Sequence, residues 1–283
     1  MKEGYAARKK AVNVAVYIIL SVMVLIWIFP IVWLILRSFE GEKGMSSSHF
    51  LPQKWTFGNY IKLFNNEDFM FGQWFLNTLI VAIFTCIIST LFILMVSYAF
   101  SRLRFKSRKT FLNIGLILGM FPGFMSMAAT YNIMEILGLG KSLVALVIVY
   151  SAGAGLGYQV AKGFFDTIPR SLDEAAKIDG ATRNQIFWII ILPLSKPIIV
   201  YTALTTFIGP WTDYIFVDYF MKDNQETYTV ALGLYKMIEK EFVTEYFTTF
   251  CAGAVVIAIP ITILFVIMQR FYVAGVTGGA VKG

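Results

Sequence analysis

Long apolar runs, separated by short polar segments, dominate the chain of 283 residues. A helix that rises about 1.5 Å per residue needs about 20 apolar residues to cross the hydrocarbon core of a bilayer. Six runs meet that requirement, at about residues 11–36, 75–100, 111–129, 143–160, 197–217 and 247–268. The pattern therefore predicts an all-α membrane protein in which a single domain, residues 1–283, contains six transmembrane helices.

Two of these runs carry residues that weaken a regular helix. The fourth contains Ser151-Ala152-Gly153-Ala154-Gly155, and small residues in membrane helices usually allow close helix packing. We interpret that stretch as a packing surface rather than a transport site. The fifth contains Gly209-Pro210, which we expect to interrupt the helix and free backbone groups for a pore or ligand.

Composition and charge support a membrane location and give an orientation. Apolar residues make up 58% of the chain and charged residues only 14%, whereas soluble domains carry about a quarter charged residues. Sixteen of the 24 basic residues lie before the first run, after the sixth, or in the second and fourth connections. By the positive-inside rule, these segments and both termini are cytoplasmic. We expect a multi-pass protein of the cell membrane, of the bacterial inner-membrane type, and the +7 charge does not indicate nucleic acid.

Little in the sequence supports catalysis. There is one histidine, the two cysteines lie inside apolar runs, and no spacing is typical of a metal site, so we predict neither catalytic nor metal-binding residues. The stretch Gly138-Leu139-Gly140-Lys141-Ser142 resembles the end of a phosphate-binding loop motif. That motif also requires a glycine five positions before Gly140, and the residue there is Glu135. We therefore expect no cofactor in this chain.

The connection between the fourth and fifth runs, residues 168–193, has strong local signals. Ser171 and Glu174 have the spacing of a capping box at a helix start, and Gly180 suits a left-handed C-terminal cap. Thr182 can begin a second helix that continues to Leu192-Pro193. The loop is predicted to be a short, stiff helix–turn–helix at the membrane surface.

The same loop resembles a known family. Glu174-Ala175-Ala176, followed at fixed spacing by Gly180, Ile190 and Leu192-Pro193, is similar to the EAA motif of ABC-importer permeases. The stretch from Leu51-Pro52 to Asn59-Tyr60 looks like the first outer loop of carbohydrate-importer permeases. The segment 269–283 resembles the tail of the second permease subunit of maltose/maltodextrin transporters. The resemblance implies the six-span permease fold of type I importers.

The resemblance to ABC-importer permeases also implies roles for particular residues and a set of partners. The ATPase-coupling residues would be Glu174, Ala175, Ala176, Asp179 and Gly180. The tail that contacts the ATPase would include Val276, Thr277, Gly278, Gly279 and Lys282. The expected partners are a second, non-identical permease subunit, a dimer of cytoplasmic ATPase subunits that bind ATP and Mg, and an extracellular solute-binding protein. Membrane lipid would surround the spans, and the cargo would be an oligosaccharide such as maltodextrin.

Polar groups near the outer halves of the spans are candidates for the substrate path. These are Trp211, Asp213, Asn77 and Tyr131. The simpler alternative is that tryptophan anchors the interface and aspartate caps a helix. Other interpretations stay open at this point: an ion-coupled secondary transporter that uses Asp213, a membrane-embedded enzyme, or an importer of raffinose-like or galactan-derived glycans. The two longer outer loops, about residues 37–74 and 218–246, either dock a partner or form interfacial helices.

Overall fold

The computed structural model describes residues 2–44, 49–120, 123–153, 157–222 and 224–280, with side chains placed from residue 9 to residue 271. Apart from one antiparallel bridge between Glu40 and Trp55, the regular structure in these ranges is helical. The helices are α1 (Lys2–Ser38), α2 (Gly58–Phe64), α3 (Phe71–Arg102), α4 (Arg108–Met120), α5 (Met127–Ile136), α6 (Leu143–Gly153), α7 (Tyr158–Thr167), α8 (Arg170–Ile178), α9 (Arg183–Gln185), α10 (Leu192–Leu194), α11 (Lys196–Thr212), α12 (Ile215–Met221), α13 (Val230–Met237) and α14 (Val243–Ala280). A π-helical segment, Ile186–Ile191, joins α9 to α10.

Three of the predicted spans coincide with single long apolar helices. The segments Lys9–Ser38, Phe71–Arg102 and Val243–Phe271 are each long and apolar enough to cross a membrane. The predicted spans at 111–129 and 143–160 fall on pairs of helices that bend at 97° between α4 and α5 and at 45° between α6 and α7. The predicted span at 197–217 begins with α11, which bends by 84° from the helical segment Arg183–Leu194 before it. The described part of the chain thus contains three spans, or up to six if each bent pair is one span. The all-helical membrane fold is confirmed, and the six-span count and the orientation stay predictions.

The chain forms two compact units. The first consists of Met1–Phe69 and Lys236–Val256, and the second of Met70–Tyr235 and Ile257–Gly283.

In the first unit, a buried ion pair holds the end of α1. Arg37 Nη1 lies 3.4 Å from Glu40 Oε2, and the two side chains are only 2% and 1% exposed. The Glu40 carboxylate also accepts hydrogen bonds from the backbone N–H groups of Glu42 and Gln53. Because a buried charge is costly unless it is paired and hydrogen-bonded, these contacts fasten the segment that follows α1 to the helix end.

Asn59, from the predicted first outer loop, extends this network. Its side-chain amide donates to the backbone carbonyls of Ser38 and Glu40, at 3.0 and 2.8 Å, and accepts from the Thr248 hydroxyl at 3.0 Å. Asn59 therefore joins α2 to the end of α1 and to the start of α14. The described part of the loop contains the short helix α2, whereas its position at the membrane interface and the docking of a partner stay predictions.

The second unit is organised around α3. Six of the thirteen buried residues of α3 have small or hydroxyl side chains, at intervals of three, four or eight residues. They are Thr78, Ala82, Thr85, Ser89, Ser97 and Ser101. Small side chains let neighbouring helices approach closely, and hydroxyls can bond to carbonyls across the gap. The Ser97 hydroxyl, for example, donates to the Tyr158 carbonyl at 2.9 Å, and the Cys86 thiol donates to the Ala203 carbonyl.

Candidate functional site

The predicted coupling loop folds as a helix–turn–helix whose turn depends on glycine. α8 covers Arg170–Ile178, and Gly180 has a φ of +82°, in the left-handed region that favours glycine. The Ala181 N–H donates to the Ala176 carbonyl at 2.9 Å, which closes the end of α8. The predicted role of Gly180 as a left-handed cap is confirmed.

The capping box is found on the second helix of the loop and not on the first. Pro169 occupies the N-cap of α8, so Ser171 already lies in the first turn, and the helix start has no side-chain cap. The prediction for Ser171 and Glu174 was wrong because the helix begins at Arg170, ahead of Ser171. Thr182 does begin the next helix, as predicted, and forms a complete capping box with Gln185.

The residues of the EAA-like motif divide between a packed face and an outward face. Ala176 is 7% exposed and packs in a cluster with Phe165, Ile186 and Phe187. Glu174, Ala175 and Asp179 are exposed. Since α8 is short and one side of it is packed, its outward face is presented as a rigid surface.

A buried ion pair that sequence reasoning missed attaches α8 to α3. Arg102 Nη1 lies 3.5 Å from Asp173 Oδ2, with the side chains 3% and 10% exposed. Arg102 Nη2 also donates to the backbone carbonyls of Phe165 and Ile168, each at 2.8 Å. One guanidinium thus joins the end of α3, the end of α7 and the first turn of α8. In the sequence, Arg102 stands out only as one of several basic residues that set the orientation.

Further hydrogen bonds join the loop to α3. The Tyr98 hydroxyl donates to the Arg183 carbonyl at 3.0 Å, and Arg170 Nη2 donates to the Ser101 carbonyl at 3.3 Å. Next to them lies a cleft of about 350 Å³, which we call the loop cleft. It is lined by Tyr98, Arg102, Leu103, Arg104, Arg170, Asp173, Glu174, Lys177, Arg183 and Ile186. The surroundings of the EAA-like motif are therefore strongly ionic.

The tail residues predicted to contact an ATPase fall at the limit of the described chain. The backbone of α14 continues to Ala280, which includes Val276, Thr277, Gly278 and Gly279. Their side chains and Lys282 lie outside the described residues. Their role stays a prediction.

Of the candidates for the substrate path, Asp213 lines an accessible cleft. It follows the last residue of α11, is half-buried, and accepts hydrogen bonds from the Tyr150 hydroxyl (3.1 Å, to Oδ2) and the Phe216 N–H (3.0 Å, to Oδ1). The helix runs through Gly209-Pro210 and ends at Thr212. The predicted interruption at Gly209-Pro210 was therefore wrong, because one proline removes a single helical hydrogen bond while buried neighbours such as Trp211 hold the helix in place.

Trp211 and Asn77 have packed environments. The Trp211 ring is 2% exposed and lies between Phe75 and Phe207, with ring centroids at 5.3 and 5.9 Å. Asn77 is also 2% exposed, and its amide donates to the carbonyls of Glu226 and Tyr228. These contacts give both side chains a structural role.

Tyr131 packs edge-on against Tyr219 and Phe220, with centroid distances of 5.8 and 5.4 Å. Lys222 Nζ lies 4.4 Å from the centre of the same ring. A hydrogen bond with Tyr131 raises the pKa of Lys222 above its ordinary value. Tyr131 therefore contacts both α12 and Lys222, the residue that follows it.

The described residues contain no group of three or more histidine, cysteine, aspartate or glutamate side chains that could hold a metal ion.

Comparison with known proteins agrees with the fold. Residues 96–278 match the family described as "Binding-protein-dependent transport system inner membrane component". The chain is 37% identical over 269 residues, 94% of each sequence, to the galactooligosaccharides transport system permease protein GanQ of Bacillus subtilis (strain 168). It is 33% identical over 286 residues, and 100% of each sequence, to the maltodextrin transport system permease protein MalD of Streptococcus pneumoniae (strain ATCC BAA-255 / R6).

A solved structure has the same fold. It is a bacterial ABC transporter involved in the import of the acidic polysaccharide alginate, with a TM-score of 0.77 and 23% identity. The match covers 93% of this chain and 97% of the other. The chain has the fold of an ABC-importer permease, and it belongs to the family of binding-protein-dependent transport system inner membrane components, whose members are membrane permease subunits and not enzymes.

Proposed function

We propose that this chain is one of two non-identical permease subunits of an ABC importer that takes up an oligosaccharide. The observation that carries the proposal is the rigid helix–turn–helix at residues 168–193, with Glu174 and Asp179 exposed on a helix that Arg102 ties to α3. The names of the relatives GanQ and MalD support an oligosaccharide as cargo. Maltodextrins and galactooligosaccharides are the two classes to be tested.

The coupling surface in this proposal is the outward face of the loop, with Glu174, Ala175 and Asp179. An ATPase subunit that binds this face would move α8 as one piece, because the Arg102–Asp173 pair joins α8 to α3. Gly180 supplies the turn, and Ala176 supports the surface from beneath. The tail around Val276, Thr277, Gly278, Gly279 and Lys282 would make a second contact with the ATPase pair.

The wider assembly in the proposal includes a dimer of ATPase subunits, which bind ATP and Mg, and an extracellular solute-binding protein. ATP-driven closure of the ATPase pair would shift the loops and switch the spans between outward-open and inward-open states. The binding protein would favour one of these states, because a partner shifts an equilibrium only by binding the two states unequally.

Uptake by the reconstituted assembly tests the proposal. Proteoliposomes with the permease pair, the ATPase and the binding protein are supplied with labelled maltotetraose or β-galactotetraose, with ion gradients collapsed by ionophores. We expect uptake of one or both sugars that requires ATP and the binding protein. Uptake that stops when the gradients collapse, and that ATP does not restore, would instead support the ion-coupled transporter that uses Asp213.

A further inference from the structure

A second cleft of the same unit, separate from the loop cleft, has the properties of a small-ligand site. Its volume is about 480 Å³, inside the range of about 300–1,000 Å³ typical of ligand pockets. We call it the Tyr150 cleft. It is lined by Gly123, Phe124, Ser126, Met127, Thr130, Val149, Tyr150, Gly153, Asp213, Ile215 and Phe216.

The carboxylate of Asp213 is held in place but keeps acceptor capacity. An ionised carboxylate offers about four lone-pair positions, and the Tyr150 hydroxyl and the Phe216 N–H use two of them. The Ser126 and Thr130 hydroxyls donate to carbonyls of their own helical turns, so their oxygens can still accept. The polar part of the cleft is thus rich in acceptors and suits a ligand with several O–H donors.

Aromatic and thioether side chains form the rest of the wall. The Phe216 ring lies 5.9 Å from Tyr150 and stacks on Phe220 at 5.1 Å, which fixes its orientation. Phe124 and Met127 are exposed or half-buried at the same cleft. A pyranose ring has apolar C–H faces and a rim of hydroxyls, so this combination of a fixed carboxylate and aromatic wall matches a sugar unit.

The charge of the side chains that line the cleft favours neutral sugars over acidic ones. None of the described lining residues is a lysine or arginine, and Asp213 is the one acidic side chain among them. A uronate or a sugar phosphate would bring a second negative charge close to Asp213 in a mostly apolar cleft, which is unfavourable. Neutral sugars avoid this repulsion and use the carboxylate as an acceptor.

We propose that the Tyr150 cleft is a subsite on this subunit for one neutral hexose unit of the transported oligosaccharide, with Asp213 and Tyr150 as its hydrogen-bonding residues and Phe216 as its apolar wall. The inference rests on the proposed function. Tyr150 also lines a neighbouring cleft of about 290 Å³ with Thr85, Thr205 and Thr206, so its side chain can contact sugar in both clefts.

Sugar-dependent protection of an introduced cysteine tests the subsite directly. The assembled transporter in nanodiscs carries Ser126→Cys, with Cys86→Ser and Cys251→Ala, and is labelled with a small maleimide. We expect maltotetraose or β-galactotetraose, supplied at about 2 to 9 times its Kd, to slow labelling by about 3- to 10-fold through occupancy of the cleft, and tetragalacturonate to have no effect. Thr212→Cys, an exposed position that does not line the cleft, serves as the control. Unchanged labelling at Ser126→Cys, slowing by the uronate to the same degree, or equal slowing at Thr212→Cys would overturn the proposal.

Transport by cleft variants separates this inference from the proposed function. We expect Asp213→Asn and Tyr150→Phe to lower the sugar moved per ATP hydrolysed by about 3- to 10-fold. Tyr201→Phe, on α11 outside the cleft, should resemble the unsubstituted protein. If both cleft variants transport normally, the subsite is wrong while the importer stands. If the unsubstituted assembly shows no ATP-driven sugar uptake, the proposed function itself is wrong.

Discussion

The loop cleft and the Tyr150 cleft belong to the same unit but are lined by different kinds of side chain, mostly charged in the first and mostly apolar in the second. The loop cleft has five basic and two acidic side chains among its lining residues, and a buried guanidinium joins three helices there. The Tyr150 cleft has one carboxylate within an apolar wall. The first arrangement resists deformation, as a surface that transmits force requires. The second leaves acceptors and aromatic faces free for a ligand, so substitutions should affect stability at the loop cleft and selectivity at the Tyr150 cleft.

The largest effect is expected from Arg102→Met. Removing the guanidinium leaves Asp173 buried without its cation and two carbonyls without their donor. Breaking a buried ion pair from one side costs about 3–5 kcal/mol of folding free energy. Thermal unfolding in detergent should move to a clearly lower temperature, and the ATPase subunit should no longer co-purify. Arg104→Met, an exposed residue of the same cleft, is the matched control and should leave both measurements unchanged.

Leucine substitutions at the two alanines of the motif should distinguish packing inside the protein from binding of the ATPase subunit. Ala176 is buried against Ile186 and Phe187, so Ala176→Leu should destabilise the protein by about 1–3 kcal/mol through overpacking. Ala175 is exposed, so Ala175→Leu should leave the unfolding temperature unchanged while it weakens ATPase binding in a pull-down titration. Equal unfolding temperatures for the two variants would contradict the division of α8 into a packed and an outward face.

A smaller effect on stability is expected from Gly180→Ala, in the turn after α8. A side chain at Gly180 meets no neighbour within 4 Å, so the cost of Gly180→Ala comes from the left-handed backbone alone, about 1–2 kcal/mol. Gly163, inside α7, also has open space around it but no positive φ. Gly163→Ala should therefore stabilise the protein by about 0.5–1 kcal/mol. Unfolding midpoints that shift in the same direction would refute the strained-turn explanation.

The smallest effect on stability is expected at the Tyr150 cleft. Tyr150→Phe removes one half-buried hydrogen bond to Asp213, which is worth about 0.5–1.5 kcal/mol. The unfolding temperature should fall only slightly, and less than for Arg102→Met. A loss as large as that of Arg102→Met would mean that the cleft is a structural element of the fold and not an adaptable binding surface.

The contrast between the clefts also explains what could be predicted from sequence. Gly180 and Thr182 have the residue types that favour a left-handed C-terminal cap and an N-cap, so their roles in the turn follow from the sequence alone. The Arg102–Asp173 pair joins residues 71 positions apart, and neither has a local signal for its partner. The small residues of α3 from Thr78 to Ser101 do carry a periodic signal, but the period alone does not say which helices pack on that face.

The Tyr150 cleft was only partly predictable for a related reason. Asp213 stands out as a carboxylate near an apolar run, whereas Tyr150 and Phe216 are ordinary residues in apolar surroundings. The role of Tyr150 depends on its hydrogen bond to Asp213, 63 positions away in the sequence. The position of both residues also depends on bends between helices, which the sequence does not specify. Trp211 and Asn77 look equally suitable by type, but packing directs Trp211 between two phenylalanines and Asn77 toward backbone carbonyls.

Photo-crosslinking from the loop is the most direct test of the account. A benzoylphenylalanine replaces Glu174 in the assembled transporter, and a second protein carries it at Lys141, in the turn between α5 and α6 that is predicted to face the other side of the membrane. Irradiation should attach the ATPase subunit to position 174 and not to position 141, and the attached complex should lose sugar-stimulated ATP hydrolysis. Attachment from position 141, or none from position 174 in an assembly that transports sugar, would contradict the assignment of residues 168–193 as the coupling element.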